Sequence, residues 1–487
     1  MSSKQLSVRD PKTTSLFRGT QSKITEKWLI ILIGGYLGVL LGQSQNLTQT
    51  ASTFLGIFLG TILGLIFQPI PGQAIVLLGI LITTVSGILP IEKALSGYSD
   101  PIVWLVLSAC LFSRGMIKTQ LGKRMSLHFI RILGKSTLGL GISLAMTDMV
   151  LGSVIPSNGA RCGGVIFPIA NGLCEAYDSK PGETAKKLGS FLFTLLYHAD
   201  VIVCATFLTG QASNILIAKF SKQLFDVEIT YSGWFIAAIV PSMVSFVLFT
   251  LLLYRFYPPT VTKTPGAPTF AKTELKKMGP VSFKEYLMLS VFLMIAILWM
   301  TTAIHHMSYT TVAILGICVL LLTKVLDWVD ITSEKPAWDI FIWYGGLMML
   351  ASTLQNLGIT QHFAKSAASS VAGQPWEIGL TVLLLIYFYA HYGFASLTAH
   401  VAAMFVPFLT VAKASGAPAW LTVFLFAIFS NLCACLTHFG TTPGPIYFGA
   451  GYVSQSQWWK IGFLTSLLHL VVWTTVGLVW WKILGKI

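Results

Sequence analysis

Residues 155–164 read IPSNGARCGG. They lie inside a long apolar run in which Arg161 is the single Lys or Arg between Lys135 and Lys180. Ser157, Asn158 and Arg161 are out of place on a lipid-facing helix, because unpaired polar groups cost several kcal/mol each in hydrocarbon. The run 136–177 is near twice the ~20 residues that one helical span needs. The basic stretches on either side of it, five Lys/Arg in 118–135 and three in 180–187, both belong on the same membrane face by the positive-inside rule. The segment must therefore enter and return. Its turn falls at Pro156–Gly159, which predicts a re-entrant helical hairpin whose tip stops within the membrane and lines a polar cavity.

The composition agrees with a membrane setting throughout. Apolar residues make up 54% of the 487, charged residues only 10%, and the mean hydropathy is +0.74, well above an ordinary globular chain. The net charge of +14 does not point to nucleic acid, since the bases gather between apolar runs: six in 1–27 and six in 255–284, besides the two stretches above. The seven cysteines all fall in apolar segments without a CxxC pair, as packing residues do. Nucleophile triads, metal-ligand spacings and a Walker-type loop are absent. An intramembrane enzyme and an ATP-driven pump are thereby disfavoured.

Threading from a cytoplasmic N-terminal segment, 1–27, gives an all-α polytopic fold. The first half, 28–254, holds six spans, with the hairpin at about 136–177 and a broken fifth span at about 189–218. A cytoplasmic linker, 255–284, follows. The second half, 285–487, holds spans seven to eleven, with a second double-length run at about 378–415 that enters from the other face and a broken tenth span at about 420–443. The sum is about 11 transmembrane helices plus two hairpins.

The halves resemble each other in places. KTQLG (118–122) is matched by LQNLG (354–358), Pro168 by Pro407, and FLF (191–193) by FLF (424–426). Their common offset of roughly 230 to 240 residues makes an inverted-topology repeat, the architecture of secondary transporters with a mid-membrane site.

The polar positions have definite chemistry. First-turn N–H groups at a hairpin tip suit a carboxylate, and helix-end carbonyls suit a small cation. Ser157 and Asn158 add oxygen and amide groups, or they serve only as caps of the turn. The spans after the hairpins are interrupted at Thr209–Asn214 and at Thr437–Pro445, where glycine, proline and hydroxyls unwind helices. Arg161 either supplies positive potential for a dianion or pairs with Asp148 or Glu175. His198 and Asp200 form either a proton relay or a polar contact between spans.

PSNGARCGG, FPIANGL, LKKMGPVSFKEY, YAHYGFASLTAHVAAM and LTHFGTTPGPIYFGAGYV together resemble the divalent anion/sodium symporter family over nearly the whole chain. The resemblance is strongest to its 2-oxoglutarate/malate translocator branch, found in bacteria and plastid envelopes. It implies a homodimeric exchanger of small dicarboxylates in the bacterial inner membrane, with the plastid envelope as the other setting. Family members carry Ser-Asn-Thr at each tip. Here the first reads Ser157-Asn158-Gly159 and the second is taken as Thr398-Ala399-His400. With Thr441 and Thr442 these are the implied substrate contacts, and Ser157, Asn158, Gly210, Thr398 and Gly440 are the implied sodium positions. No other cofactor is implied. Loss of the second asparagine favours exchange over sodium symport, the alternative reading. His400 either donates a hydrogen bond to a carboxylate, which would make transport pH-sensitive, or is a structural histidine satisfied by backbone at the rim.

Overall fold

The structure is a computed structural model describing residues 11–359, 362 and 375–487, with side chains from 24 onward. The first ten residues of the expected N-terminal segment lie outside it. The chain is all-helical: among the described residues the only β contact is an isolated bridge between Ser136 and Lys263. Among the described residues, ten helices are long and apolar enough to span a membrane, and three apolar helices are shorter.

The principal helices are α1 Pro11–Ser44, α2 Gln49–Phe67, α3 Gly72–Val85, α4 Pro101–Thr119, α5 Leu121–Leu133, α6 Thr137–Gly152, α7 Asn158–Arg161 and α8 Phe167–Ala176. After them come α9 Gly189–Thr206, α10 Ala212–Phe225, α11 Tyr231–Phe256, α12 Gly266–Met278, α13 Phe283–Met300, α14 Tyr309–Leu322 and α15 Lys335–Asn356. The chain closes with α16 Trp376–Ala390, α17 Leu397–His400, α18 Val406–Ala414, α19 Ala419–Leu432, α20 Pro443–Gly449, α21 Gln455–Val472 and α22 Leu478–Ile483. Local chemistry sets the starts. Asp100 accepts from the Ile102 amide (2.9 Å) with Pro101 at the first position of α4, and Ser282 with Glu285 forms a capping box on α13.

Two compact units are present. One comprises the described residues of Met1–Ser99 and Ile342–His362, and the other those of Asp100–Phe341 and Phe363–Ile487. In the first unit, α1 and α2 pack glycine to backbone: a Cβ on Gly42 would lie 2.7 Å from Ser52 Cα, and one on Gly56 would lie 2.6 Å from the Gly35 carbonyl. Such close approach is how helices associate where lipid removes the hydrophobic drive.

The second unit contains both double-length runs. The Lys135 carbonyl accepts from the Thr264 amide (2.9 Å), and the Thr137 amide donates to the Thr262 carbonyl (3.1 Å). At the other end of the run, Tyr177 Oη lies 3.2 Å from where a Gly266 Cβ would stand. Both ends of the first run thus meet the 255–284 linker. The Lys186 and Lys187 carbonyls accept from Thr260 and Val261 there too. Three of the basic stretches therefore share one face.

The second run closes on the opposite face. A Cβ on Gly379, in the first turns of α16, would sit 3.9 Å from Ser415 Cβ, just past α18. Lys413 also reaches the Leu224 carbonyl at the far end of the first broken span. Beyond the second break the chain comes back, where the Tyr452 carbonyl accepts from Ser190 Oγ (2.7 Å) and Tyr452 Oη donates to the Ser179 carbonyl (2.9 Å). The pair α9–α10 and the pair α19–α20 therefore run in opposite senses.

Several boundaries differ from the sequence reading. The basic stretch 118–135 is not a loop but contains α5, and the linker contains α12; the two helices pack on each other. The first interruption spans residues 207–211 rather than Thr209–Asn214, with Ala212–Asn214 forming the first turn of α10. Asn214 moves the boundary by bonding back across the gap, its Nδ2 donating to the carbonyls of Cys204 (2.8 Å) and Phe207 (3.0 Å) that α9 leaves open. The second interruption ends at Thr442, because Pro443 opens α20 at a position where its missing N–H costs nothing.

Candidate functional site

The two tips are built alike. Ser157 precedes α7 and accepts from the Ala160 amide (3.3 Å); Ser396 precedes α17 and accepts from the Ala399 amide (3.4 Å). Each short helix runs into one π-helical stretch, Cys162–Ile166 or Val401–Phe405, and then a helix with proline in its first turn, Pro168 or Pro407. All these pairs share one constant offset. This corrects the register of the second tip by two residues. The counterpart of Ser157-Asn158-Gly159 is Ser396-Leu397-Thr398, not Thr398-Ala399-His400, and a buried leucine stands where the first tip has Asn158.

The first tip meets the second break. Asn158 Nδ2 donates to Thr441 Oγ1 (2.9 Å) and to Asp200 Oδ2 (3.4 Å), while its Oδ1 accepts from the Gly159 amide (3.0 Å). A Cβ on Gly159 would stand 2.6 Å from Thr442 Cγ2; the missing side chain is what lets tip and break approach. Ser157, Asn158, Gly159, Thr441 and Thr442 thus form one group, in which Asn158 and Thr441 are buried and the Thr442 side is open. The second tip packs against α10, which follows the first break. Thr398 is half-buried there, and Ala399 and His400 are buried.

Beneath the first tip lies Arg161, 1% exposed. Its Nε donates to Asp148 Oδ1 (2.7 Å) and its Nη2 to Asp200 Oδ1 (2.9 Å). Its Nη1 donates to the carbonyls of Ile155 (2.7 Å) and Gly210 (2.8 Å). Glu175 accepts from Asn171 (2.8 Å) instead. The guanidinium therefore ties the end of α6, the first tip and the first break together; a planar five-donor group suits such a junction. His198 packs on the Phe249 ring (4.6 Å between centroids), and Asp200 is committed to Arg161 and Asn158, so no His198–Asp200 relay is assembled.

The second tip has a neutral version of the same junction. At the tip offset, His400 takes the place of Arg161, Tyr387 that of Asp148, and His391 that of Gly152. The His400 ring packs on Tyr387 (4.3 Å), and its Nδ1 lies 3.5 Å from Cys433 Sγ. His391 Nε2 bonds the Gly440 carbonyl (3.0 Å), as Arg161 bonds Gly210. A Cβ on Gly152 would already lie 3.5 Å from Arg161 Cζ, so in the first half the guanidinium fills the room that the His391 ring fills in the second. His400 points into this junction and not toward an open tip surface. The role of a direct carboxylate donor is therefore not one its placement provides.

A chain of amides joins the halves. Gln211 Nε2 donates to Asn431 Oδ1 (2.6 Å), and Asn431 Nδ2 donates to Asn214 Oδ1 (2.8 Å). The sequence reading places Gln211 in the first break without giving it a role, and it does not single out Asn431, His391 or Ser396. The Pro168–Pro407 offset, applied to the first tip, leads from Ser157 to Ser396. Nothing local marks Asn431, which lies in an apolar run.

The arrangement offers first-turn amides and hydroxyls around two breaks, which suits a small anion. Comparison with known proteins agrees. The profile described as the sodium:sulfate symporter transmembrane region matches residues 21–487. The candidate malate transporter YflS of Bacillus subtilis is 42% identical over 96% of this chain and 98% of its own. Chloroplastic dicarboxylate transporter 1 of Arabidopsis thaliana is 40% identical over 91% of this chain and 80% of its own. Inner membrane protein YbhI of Escherichia coli is 31% identical over 94% and 98%. The YdaH transporter of Alcanivorax borkumensis shares the fold at a TM-score of 0.54 and 13% identity, over 83% of this chain and 88% of its own. This multi-pass membrane protein is a transporter rather than an enzyme, and it belongs to the divalent anion/sodium symporter family.

Proposed function

We propose that the protein exchanges dicarboxylates of the 2-oxoglutarate/malate type across the bacterial inner membrane by alternating access, without sodium. The substrate class rests on the names of the relatives at 40–42% identity and on the anion-suited tips. The setting rests on the Bacillus and Escherichia relatives. The two hairpins with their broken spans move as the transport element against the remaining spans, and the protein works as a homodimer; both statements rest on the family resemblance.

One observation carries the choice of exchange. The break carbonyls that would serve a small cation are already bonded to basic side chains, Gly210 to Arg161 (2.8 Å) and Gly440 to His391 (3.0 Å). A sodium ion takes oxygen ligands and would have to displace a guanidinium held by two buried carboxylates. A permanent cation at that place needs no imported one. Carrying one diacid out for each diacid in then balances substrate charge without a cotransported cation.

Counterflow in proteoliposomes tests this reading. Vesicles loaded with unlabelled 2-oxoglutarate should take up labelled malate equally well in sodium and in choline buffer, and empty vesicles should take up little. Uptake into empty vesicles that demands sodium would establish symport instead.

A further inference from the structure

We propose that the second half carries a binding site for one soft transition-metal ion, formed by His391, His400 and Cys433. The site is distinct from the substrate-facing tips and does not depend on the mode of transport. Each of the three side chains offers one ligating atom, and these atoms all lie within 4.8 Å of one another. All three residues are fully buried, at 0% exposure.

The hydrogen bonding around His391 matches that of a metal-ligating histidine. Its Nε2 faces the Gly440 carbonyl at 3.0 Å, and a carbonyl can only accept, so Nε2 carries the proton. Nδ1 is left with a bare lone pair, and it has no hydrogen-bond partner among the described residues. A backbone carbonyl on one ring nitrogen fixing the other as a ligand is the usual outer-shell pattern of metal-bound histidines. On the far side, Cys433 Sγ is 3.5 Å from His400 Nδ1. As a sulfur–metal bond forms, the thiol proton leaves to solvent.

Two imidazoles and a thiolate select zinc, cadmium or cuprous ion over sodium, magnesium or calcium, which take oxygen. The first half holds a comparable cluster, Asp148, Cys162 and Asp200, but there Arg161 already supplies the positive charge. The second half has neither the guanidinium nor the carboxylates at its junction, and offers imidazole and thiol ligands instead. Gly393 and Ala395, in the short connection between α16 and the second tip, are exposed. Once bound, the ion ties residues on both sides of the second tip to the segment that follows α19.

The purified full-length protein is titrated with cadmium, following the thiolate-to-cadmium charge-transfer absorbance. The expected result is a band saturating at one ion per chain that disappears in Cys433→Ser, which removes the only sulfur of the site, and whose apparent affinity falls at least about tenfold, equivalent to roughly 1.4 kcal/mol, in His391→Gln. A band that persists in Cys433→Ser, or no saturable band in the unaltered protein, would overturn the site. Zinc-edge X-ray absorption on the unaltered protein checks it without a variant: a shell containing one sulfur and imidazole nitrogens supports it, and a shell of oxygen or nitrogen alone refutes it.

Discussion

Arg161 and Gly210 are joined by a 2.8 Å hydrogen bond from guanidinium to carbonyl. Through it a charge on the first hairpin fixes the place where α9 ends. The same guanidinium is paired with both Asp148 and Asp200, all three buried. Removing one partner of a buried ion pair costs about 3–5 kcal/mol, because the other charge is left alone. Arg161→Gln therefore should lower the folded yield sharply and abolish exchange. Arg161→Lys keeps the charge but cannot span both carboxylates and two carbonyls at once. It should fold in part and transport at least about tenfold more slowly, a loss of roughly 1.4 kcal/mol. Size-exclusion profiles and exchange rates of the two variants, side by side, check this; equal behaviour of glutamine and lysine would mean the charge is not what matters.

Asn158 links the first tip to the second break through Thr441 (2.9 Å). Asn158→Ala removes that link together with the donor toward Asp200. A neutral hydrogen bond contributes about 0.5–1.5 kcal/mol net, so the fold should survive. Substrate binding should be lost if the amide also helps hold a carboxylate. Isothermal titration with malate on the purified variant reads this directly, and wild-type affinity would remove the first tip from the site.

Much of this architecture was legible in the sequence because it is enforced by the bilayer. A run twice the length of one span, bounded by basic stretches, can only be a reversal, and the tip residues in IPSNGARCGG follow from that. The finer register was not legible. Thr398-Ala399-His400 resembles a tip motif in composition, whereas the cap is made by Ser396, whose role depends on backbone geometry that a hydroxyl two residues away could also have satisfied. His391 and Asn431 were hidden for another reason. Both sit in apolar runs, where an isolated polar residue carries no periodic signal, and their partners Gly440, Gln211 and Asn214 are remote in sequence. The amphipathic helix α5 is hidden in a stretch whose bases signal topology first and helical periodicity only second.

Outside the spans, Asp330 should make stability depend on pH. Burial raises its carboxyl, but the Asp327 amide (2.9 Å), Lys118 (2.5 Å) and Arg114 (3.3 Å) outweigh that and hold it below the usual value of 3.8. A carboxylate depressed in the folded state stabilises fully above its unfolded pKa, and the benefit fades as pH falls through the folded one. Asp330→Asn should therefore lower the unfolding temperature at pH 7. Charged hydrogen bonds contribute about 1.5–3 kcal/mol, and partial exposure of Lys118 and Arg114 puts the loss at the low end. The gap between variant and parent should stay constant from pH 7 to 5 and narrow below 4. Thermal unfolding in detergent across that range measures it, and a gap that widens on acidification would contradict the sign.

Gly159 offers the most discriminating substitution. A Cβ there would meet Thr442 Cγ2 at 2.6 Å, closer than real side chains come, so in Gly159→Ala the tip and the second break must separate. Anion-binding amides act only over hydrogen-bond distances, and a displacement of a few tenths of an ångström at each contact should reduce exchange about tenfold, equivalent to roughly 1.4 kcal/mol. The clash is with a methyl group and not with a hydroxyl, which gives the repair. Thr442→Ser removes Cγ2 and keeps Oγ, so the double variant Gly159→Ala with Thr442→Ser should recover most of the lost rate, while Thr442→Ser alone changes it little. Exchange rates for the four proteins complete a double-mutant cycle. Additive losses, with no recovery, would show that Gly159 is needed for its backbone freedom and not for its closeness to Thr442.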